Sequence, residues 1–167
     1  AFNRQGLEGA LVVMLSHGLV SGALFLCVGV IYDRLHTREI DRYGGLSINM
    51  PRYALLFLLF TMASIGLPGT SNFVGELLSL MGTYQVSTTI TLLCTTGIIL
   101  GAAYMLYLYR RVVFGEIKSD EVRAMEDLSH RELWLLAPIA AVALIAFGVS
   151  GVLPFALWSG CALLAVW

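Results

Sequence analysis

The chain has 167 residues, of which 58% are hydrophobic and 13% are charged, and its formal net charge is −1. This composition, with a mean hydropathy of +0.83, excludes an ordinary soluble domain and indicates a protein that spans a membrane several times. The near-zero charge excludes a basic surface for nucleic acid. The cysteines Cys27, Cys94 and Cys161 lie far apart in apolar runs, so we interpret them as small packing residues and expect neither a metal nor a redox centre.

Four apolar runs, taken in chain order, predict an all-α integral membrane fold with about four transmembrane helices. The predicted spans are residues 9–32, 52–84, 90–109 and 133–149. The apolar tail, residues 155–167, is short for a further crossing. Its length favours a helix that lies at the interface or packs on its neighbours.

The second span is too long for one straight helix and carries Gly66, Pro68 and Gly69 near its middle. We therefore predict a discontinuous helix with halves at about 52–65 and 73–84. A bilayer core offers no partners to unpaired backbone groups, so such a break lines a hydrated or protein-filled cavity. The alternative is a proline kink that only shapes helix packing.

Two charged loops, residues 33–51 and 110–132, collect most of the lysines and arginines, whereas the segment 82–89 has no charge. The positive-inside rule places both charged loops on the cytoplasmic or matrix face, and four crossings put them on the same face. We interpret residues 116–132 of the second loop as a solvated linker because they mix both signs of charge.

Glu76 follows the helix break in the stretch GLPGTSNFVGELL, at a counted depth of about 14 Å from the uncharged loop. An ionisable residue at that depth is costly and predicts a functional site. Desolvation opposes charge on this carboxyl, while free N–H groups just after Ser71 and Asn72 favour it, so Glu76 is a candidate for proton exchange. The alternative is a permanently protonated side chain that bonds to a neighbouring helix.

His17 is the second candidate for the proton path. Counted from Glu8, it also lies about 14 Å deep, with Ser21 one turn away as a possible partner. A lone histidine in a membrane helix also serves as an interhelical hydrogen-bond donor, so both roles stay open. Pairs of glycines four residues apart predict close helix packing in two spans. These glycines are Gly18, Gly22, Gly97 and Gly101.

Four stretches carry a family resemblance along nearly the whole chain. In order they are SHGLVSGALFLCVGVIYDRLHTREIDRYGGL, MPRYALLFLLFTMASIGLPGTSNFVGELL, GIILGAAYMLYLYRRVVFGE and DLSHRE. In order and spacing they closely resemble the C-terminal part of subunit 4 of respiratory complex I, the NADH:quinone oxidoreductase. This is the M-type antiporter-like subunit of bacteria, which is related to subunits of sodium/proton antiporters.

The resemblance implies the C-terminal part of an antiporter-like fold of about fourteen helices, which takes part in proton translocation. His17 matches the histidine of the family's eleventh helix, Glu76 the carboxylate of its discontinuous twelfth helix, and Gly66, Pro68 and Gly69 the helix break. The resemblance also implies a subunit without a redox centre, cofactor or catalytic centre of its own, because quinone chemistry elsewhere in the complex drives pumping.

The family's central lysines lie on helices that this chain lacks. The implied partners are therefore the missing N-terminal part of the same subunit, neighbouring antiporter-like subunits and lipids. The implied location is the mitochondrial inner membrane, with the bacterial plasma membrane as the alternative. Two other hypotheses stay open: a structural component whose polar groups only pack helices, and a subunit of a related sodium/proton antiporter or membrane-bound hydrogenase.

Overall fold

The computed structural model describes residues 2–144, which form helices and no strands. In order the helices are α1 (Arg4–Leu35), a short 3-10 helix (Ile40–Arg42), α2 (Leu46–Asn49), α3 (Pro51–Ile65), α4 (Ser71–Tyr84), α5 (Thr88–Val113), α6 (Asp120–Arg123) and α7 (residues 130–144). The prediction of an all-α fold is confirmed for this part of the chain. Residues 145–149 of the predicted fourth span, the tail 155–167 and Cys161 lie outside the described residues.

Helices α1 and α5 contain the predicted spans 9–32 and 90–109. Side chains cap both helices at their start: Asn3 accepts a hydrogen bond from the Gly6 N–H, and Ser87 accepts one from Ile90. Among residues 2–144, α1 and α5 are the two helices long and apolar enough for each to cross a membrane alone. Helix α3 is also apolar but shorter. Two helices, α3 and α4, occupy the predicted span 52–84, so one broken crossing there stays a prediction.

Helices α1 and α4 pack antiparallel with their backbones in contact. The facing pairs are Gly6 with Gly82, Gly9 with Ser79, Val13 with Gly75, and Ser16 with Ser71. A Cβ atom added to Gly9 would lie 2.5 Å from the Ser79 nitrogen, and one added to Gly82 would lie 2.6 Å from the Gly6 Cα. Small residues therefore allow this close approach, as is common between membrane helices.

The glycines predicted to pack closely do not do so within residues 2–144. A Cβ atom at Gly18, Gly22 or Gly97 would have no neighbour within 4 Å, and one at Gly101 would meet only the edge of the Tyr104 ring at 3.9 Å. Spacing identifies a small-residue stripe but not the direction it faces. Packing of these four glycines against helices outside the described residues stays a prediction.

The buried core lies at the end of the bundle that carries the charged loops, which we call the inner end. It joins aromatic side chains of α3 and α5 to apolar side chains of the loops. Val122, Met125 and Leu128 are buried in it, so the interpretation of the second loop as a solvated linker is wrong. The apolar residues of this loop are interspersed with charged ones. The sequence therefore contains no continuous apolar run from which their burial could be predicted.

The two cysteines in the described residues have different environments. Cys27 is fully buried in the core, whereas Cys94 is exposed on α5. No described helix covers that face of α5, so packing of Cys94 against helices outside the described residues stays a prediction.

Candidate functional site

The site is built on the five residues that separate α3 from α4. Gly66 ends α3 with a positive φ of 80°, and the Leu67 N–H reaches back to the Met62 carbonyl at 3.0 Å. Pro68 prevents continuation of the helix, and Gly69 again takes a positive φ, 105°. Thr70 then precedes the first residue of α4 as its N-cap, and its N–H donates to the Leu67 carbonyl at 3.0 Å.

The Glu76 carboxylate lies directly against Gly66. A Cβ atom at Gly66 would collide with Glu76 Oε2 and would lie 2.9 Å from its Cδ. The glycine therefore leaves the space that the carboxylate occupies. Glu76 is half-buried, and no cation or hydrogen-bond donor of residues 2–144 contacts its oxygens. The carboxylate is thus placed at the end of α3 without a fixed partner from this part of the chain.

Glu76 also borders a groove of about 420 Å³ between α1, α4 and α5. The other walls are formed by Ala10, Val13 and Met14 of α1, Ser79 and Leu80 of α4, and Ile98 of α5. Glu76 is the one charged residue of this lining, and Ser79, one turn further along α4, is polar. The carboxylate therefore lies between the helix break and an otherwise mostly apolar groove.

Buried polar side chains surround the start of α4. The Ser16 and Ser71 hydroxyls hydrogen-bond to each other between α1 and α4. Thr70 and Asn72 are also buried, and Asn72 Oδ1 has no hydrogen-bond partner among the described residues. Ser16 was not singled out from the sequence. Its only signal was its place beside His17 in a small-residue stretch.

The structure does not bring His17 and Glu76 together. His17 is exposed on α1 and bonds to Ser21 Oγ, 3.1 Å from Nε2 and 3.3 Å from Nδ1. Its neighbour Ser16 faces α4 at the level of Ser71, five residues from Glu76 along that helix. Five residues correspond to about 7 Å. The predicted common depth is therefore wrong, and His17 lies nearer the level of the break, on a face that residues 2–144 leave open.

A second polar cluster, centred on Arg34 at the inner end, was missed by the sequence analysis. The Arg34 guanidinium makes two parallel hydrogen bonds of 2.9 Å to the Glu132 carboxylate and also donates to the carbonyls of Val30, Glu126 and Asp127. These hydrogen bonds lower the pKa of Glu132 to about 2. The cluster therefore fixes the end of α1 to the second loop and the adjoining start of α7, which lie 92 to 98 residues further along the chain.

Within residues 2–144, no three His, Cys, Asp or Glu side chains come close enough to hold a metal ion. The arrangement at Glu76 instead holds one carboxyl at a helix break beside a groove. Such a group can gain and lose a proton as its hydration changes.

Comparisons with known proteins agree with the family resemblance found in the sequence. Residues 1–101 match the family described as "NADH:quinone oxidoreductase/Mrp antiporter, TM". The chain is 59% identical to NADH-quinone oxidoreductase subunit M of Rhodobacter capsulatus over 145 residues, which cover 87% of this chain and 28% of that protein. It is 49% identical to NADH-ubiquinone oxidoreductase chain 4 of Chondrus crispus, covering 86% of this chain and 29% of that protein.

A chain of the respiratory complex I structure from Thermus thermophilus with bound NADH has a similar fold. The TM-score is 0.78 at 36% sequence identity, and the match covers 87% of this chain and 30% of that one. The chain therefore spans less than a third of the length of these relatives. The resemblance seen in the sequence is confirmed: the chain belongs to the transmembrane family of NADH:quinone oxidoreductase and Mrp antiporter subunits.

Proposed function

We propose that this chain is the C-terminal part of an antiporter-like subunit of respiratory complex I and takes part in proton translocation. The observation that carries the proposal is the Glu76 carboxyl, which lies against Gly66 at the break between α3 and α4. An intramembrane carboxyl beside an irregular backbone segment is the usual setting of an ion or proton site in membrane proteins. In this proposal, α3 and α4 form one discontinuous transmembrane helix.

Glu76 exchanges protons toward the outer face. Two influences act on its charge: burial beside the C-terminal end of α3 opposes ionisation, and hydration favours it. The groove beside Glu76 runs between α1, α4 and α5 and includes the polar Ser79. Hydration of this groove during the pumping cycle would change the balance of the two influences and release or take up one proton.

His17 connects this site to the central part of the subunit. Its side chain lies on the exposed face of α1, together with Gly18 and Gly22, at the level of the break. That face is where we place the helices of the N-terminal part of the same subunit. Other partners are the neighbouring antiporter-like membrane subunits and lipids. The chain holds no cofactor or redox centre in this proposal, and electron transfer takes place elsewhere in the complex.

The same proposal gives the location. Both charged loops lie on the matrix face of the mitochondrial inner membrane, or on the cytoplasmic face of a bacterial plasma membrane. The relatives include a subunit M of a quinone-linked enzyme and a chain 4 of a ubiquinone-linked enzyme, which supports a location in one of these two membranes.

The test is the number of protons pumped per NADH oxidised in reconstituted complex that carries Glu76→Gln. This change keeps the size of the side chain but removes its titration. The matched control is Glu8→Gln, because the Glu8 carboxylate is half exposed and pairs with Arg4 at the end of α1. We expect a lowered ratio for Glu76→Gln and a normal ratio for the control, with both complexes assembled on native gels. A normal ratio in assembled Glu76→Gln complex would make the chain a structural helix-packing component.

The family description also names Mrp antiporters, and this supports a second candidate, a subunit of a sodium/proton antiporter. Purification of the chain in its native membrane separates the two. Flavin and iron–sulfur subunits in the purified assembly support complex I. Sodium-dependent proton exchange by an assembly without those subunits supports the antiporter.

A further inference from the structure

The N-terminal end of α3 is satisfied by a side chain from a distant loop. A helix leaves its first N–H groups without partners inside the helix. Here Pro51, the first residue, has no N–H, and the Ala54 N–H bonds to the Met50 carbonyl at 2.9 Å. The two remaining N–H groups donate to the Asp127 carboxylate. The Arg52 N–H lies 3.0 Å from Oδ2, and the Tyr53 N–H lies 3.1 Å from Oδ1. One carboxylate therefore completes this helix end, and its negative charge is favourable there.

Asp127 is itself held in place. Its Oδ1 accepts a hydrogen bond from the Leu128 N–H at 2.8 Å, and Leu128 is buried in the core. Its carbonyl accepts a hydrogen bond from Arg34, which also binds Glu132 at the start of α7. The carboxylate is thus anchored to α1 and α7. The position of the N-terminal end of α3 therefore depends on these two helices.

The opposite end of α3 carries Gly66, whose missing side chain leaves room for the Glu76 carboxylate. The 15 residues of α3 form one helix about 22 Å long. A helix moves largely as a unit, and Phe57 and Phe60 hold it in the core. An axial shift at the Asp127 end would therefore appear at Gly66, where the contact with Glu76 leaves little free space.

We infer that Asp127 is a positioning residue that caps α3 from the second loop and thereby sets the place of Gly66 against the Glu76 carboxyl. Its effect on pumping rests on the function proposed above. Its effect on the helix break does not, so the two parts can be tested separately.

The experiment compares Asp127→Asn with Glu126→Gln in the assembled complex. The asparagine has no charge and one acceptor oxygen with two lone pairs, so it cannot accept from all three N–H groups of Arg52, Tyr53 and Leu128. Glu126 is the adjacent exposed carboxylate and serves as the matched control. Amide hydrogen exchange is measured in peptides that cover residues 50–54 and 64–72, together with protons pumped per NADH. In Asp127→Asn we expect exchange at least about tenfold faster at residues 50–54, because a charge-assisted hydrogen bond exceeds the free energy of a tenfold change. We also expect faster exchange at residues 64–72 and a lowered pumping ratio.

Faster exchange in residues 50–54 alone, with residues 64–72 as in the wild type, would overturn the inference. Faster exchange in both peptides with a normal pumping ratio would support the positioning role and count against the proposed function of Glu76. If the Asn variant does not assemble, Asp127→Glu replaces it, because it keeps the charge but changes the distance between loop and helix. In that variant, faster exchange at 64–72 supports the inference, and wild-type exchange there overturns it.

Discussion

Substitution of Gly9 by alanine tests the close contact of α1 with α4. The added Cβ atom would lie 2.5 Å from the Ser79 nitrogen, 2.7 Å from its Oγ and 2.9 Å from the Gly75 carbonyl oxygen. Two of these atoms belong to the backbone, so the helices themselves must separate. Overpacking of this kind costs up to about 3 kcal/mol. The better helix propensity of alanine returns about 1 kcal/mol. We therefore expect a net loss of about 2 kcal/mol in the free energy of unfolding.

The assay is thermal unfolding of the assembled complex, followed with a fluorescent label on this subunit. The control is Gly29→Ala on the same helix, where an added Cβ atom would have no neighbour within 4 Å. We expect the control to be neutral or slightly stabilising and Gly9→Ala to lower the transition temperature. Equal transition temperatures for the two variants would refute the reasoning that backbone contact at Gly9 sets this helix pair.

Two further predictions concern the break and the inner end. Gly66→Ala should lower the pumping ratio because the new methyl group displaces the Glu76 carboxylate, whereas Gly69→Ala, with a positive φ but an open neighbourhood, should lower it less. Equal ratios in reconstituted vesicles would contradict this. Arg34→Gln should lower the free energy of unfolding by about 1.5–3 kcal/mol through the lost charged hydrogen bonds. Because the pKa of Glu132 is depressed from 4.5 to about 2, this stabilisation is complete above about pH 4.5 and is lost toward pH 2. The difference from wild type in thermal unfolding should therefore stay constant between about pH 8 and pH 5, and a steady change over that range would count against the ion pair.

The sequence was sufficient for the features that depend on composition along the chain. Apolar length predicted the regions that form α1 and α5. The combination of Gly66, Pro68 and Gly69 predicted an interruption, and the structure ends one helix at Ile65 and starts the next at Ser71. These features arise from local physics: the hydrocarbon thickness, the missing N–H of proline and the positive φ that glycine tolerates.

Features that depend on helix register could not be predicted. The depth of Glu76 was counted from the loop near Gln85, and that of His17 from Glu8. In the structure, Gln85 bonds to Gln5 and Asn3, so the two counts began at different levels. A count along one helix contains no information about its alignment with another.

Features that depend on which face of a helix is covered were equally hidden. Gly9 and Gly18 look alike in sequence, but only the backbone at Gly9 meets α4. Asp127 lies in a loop of mixed charge, and its role arises only when that loop folds against the N-terminal end of α3. Long-range pairs of this kind are properties of the packed molecule rather than of any local pattern.

The central claim is that the Glu76 carboxyl changes its protonation while the complex works. The most direct measurement is the infrared difference spectrum between resting and turning-over complex in vesicles, recorded for wild type, Glu76→Gln and Glu8→Gln. The account predicts a change in a carboxylic acid C=O band that is present in wild type and Glu8→Gln and absent in Glu76→Gln. A carboxyl region in Glu76→Gln identical to that of the wild type would contradict it.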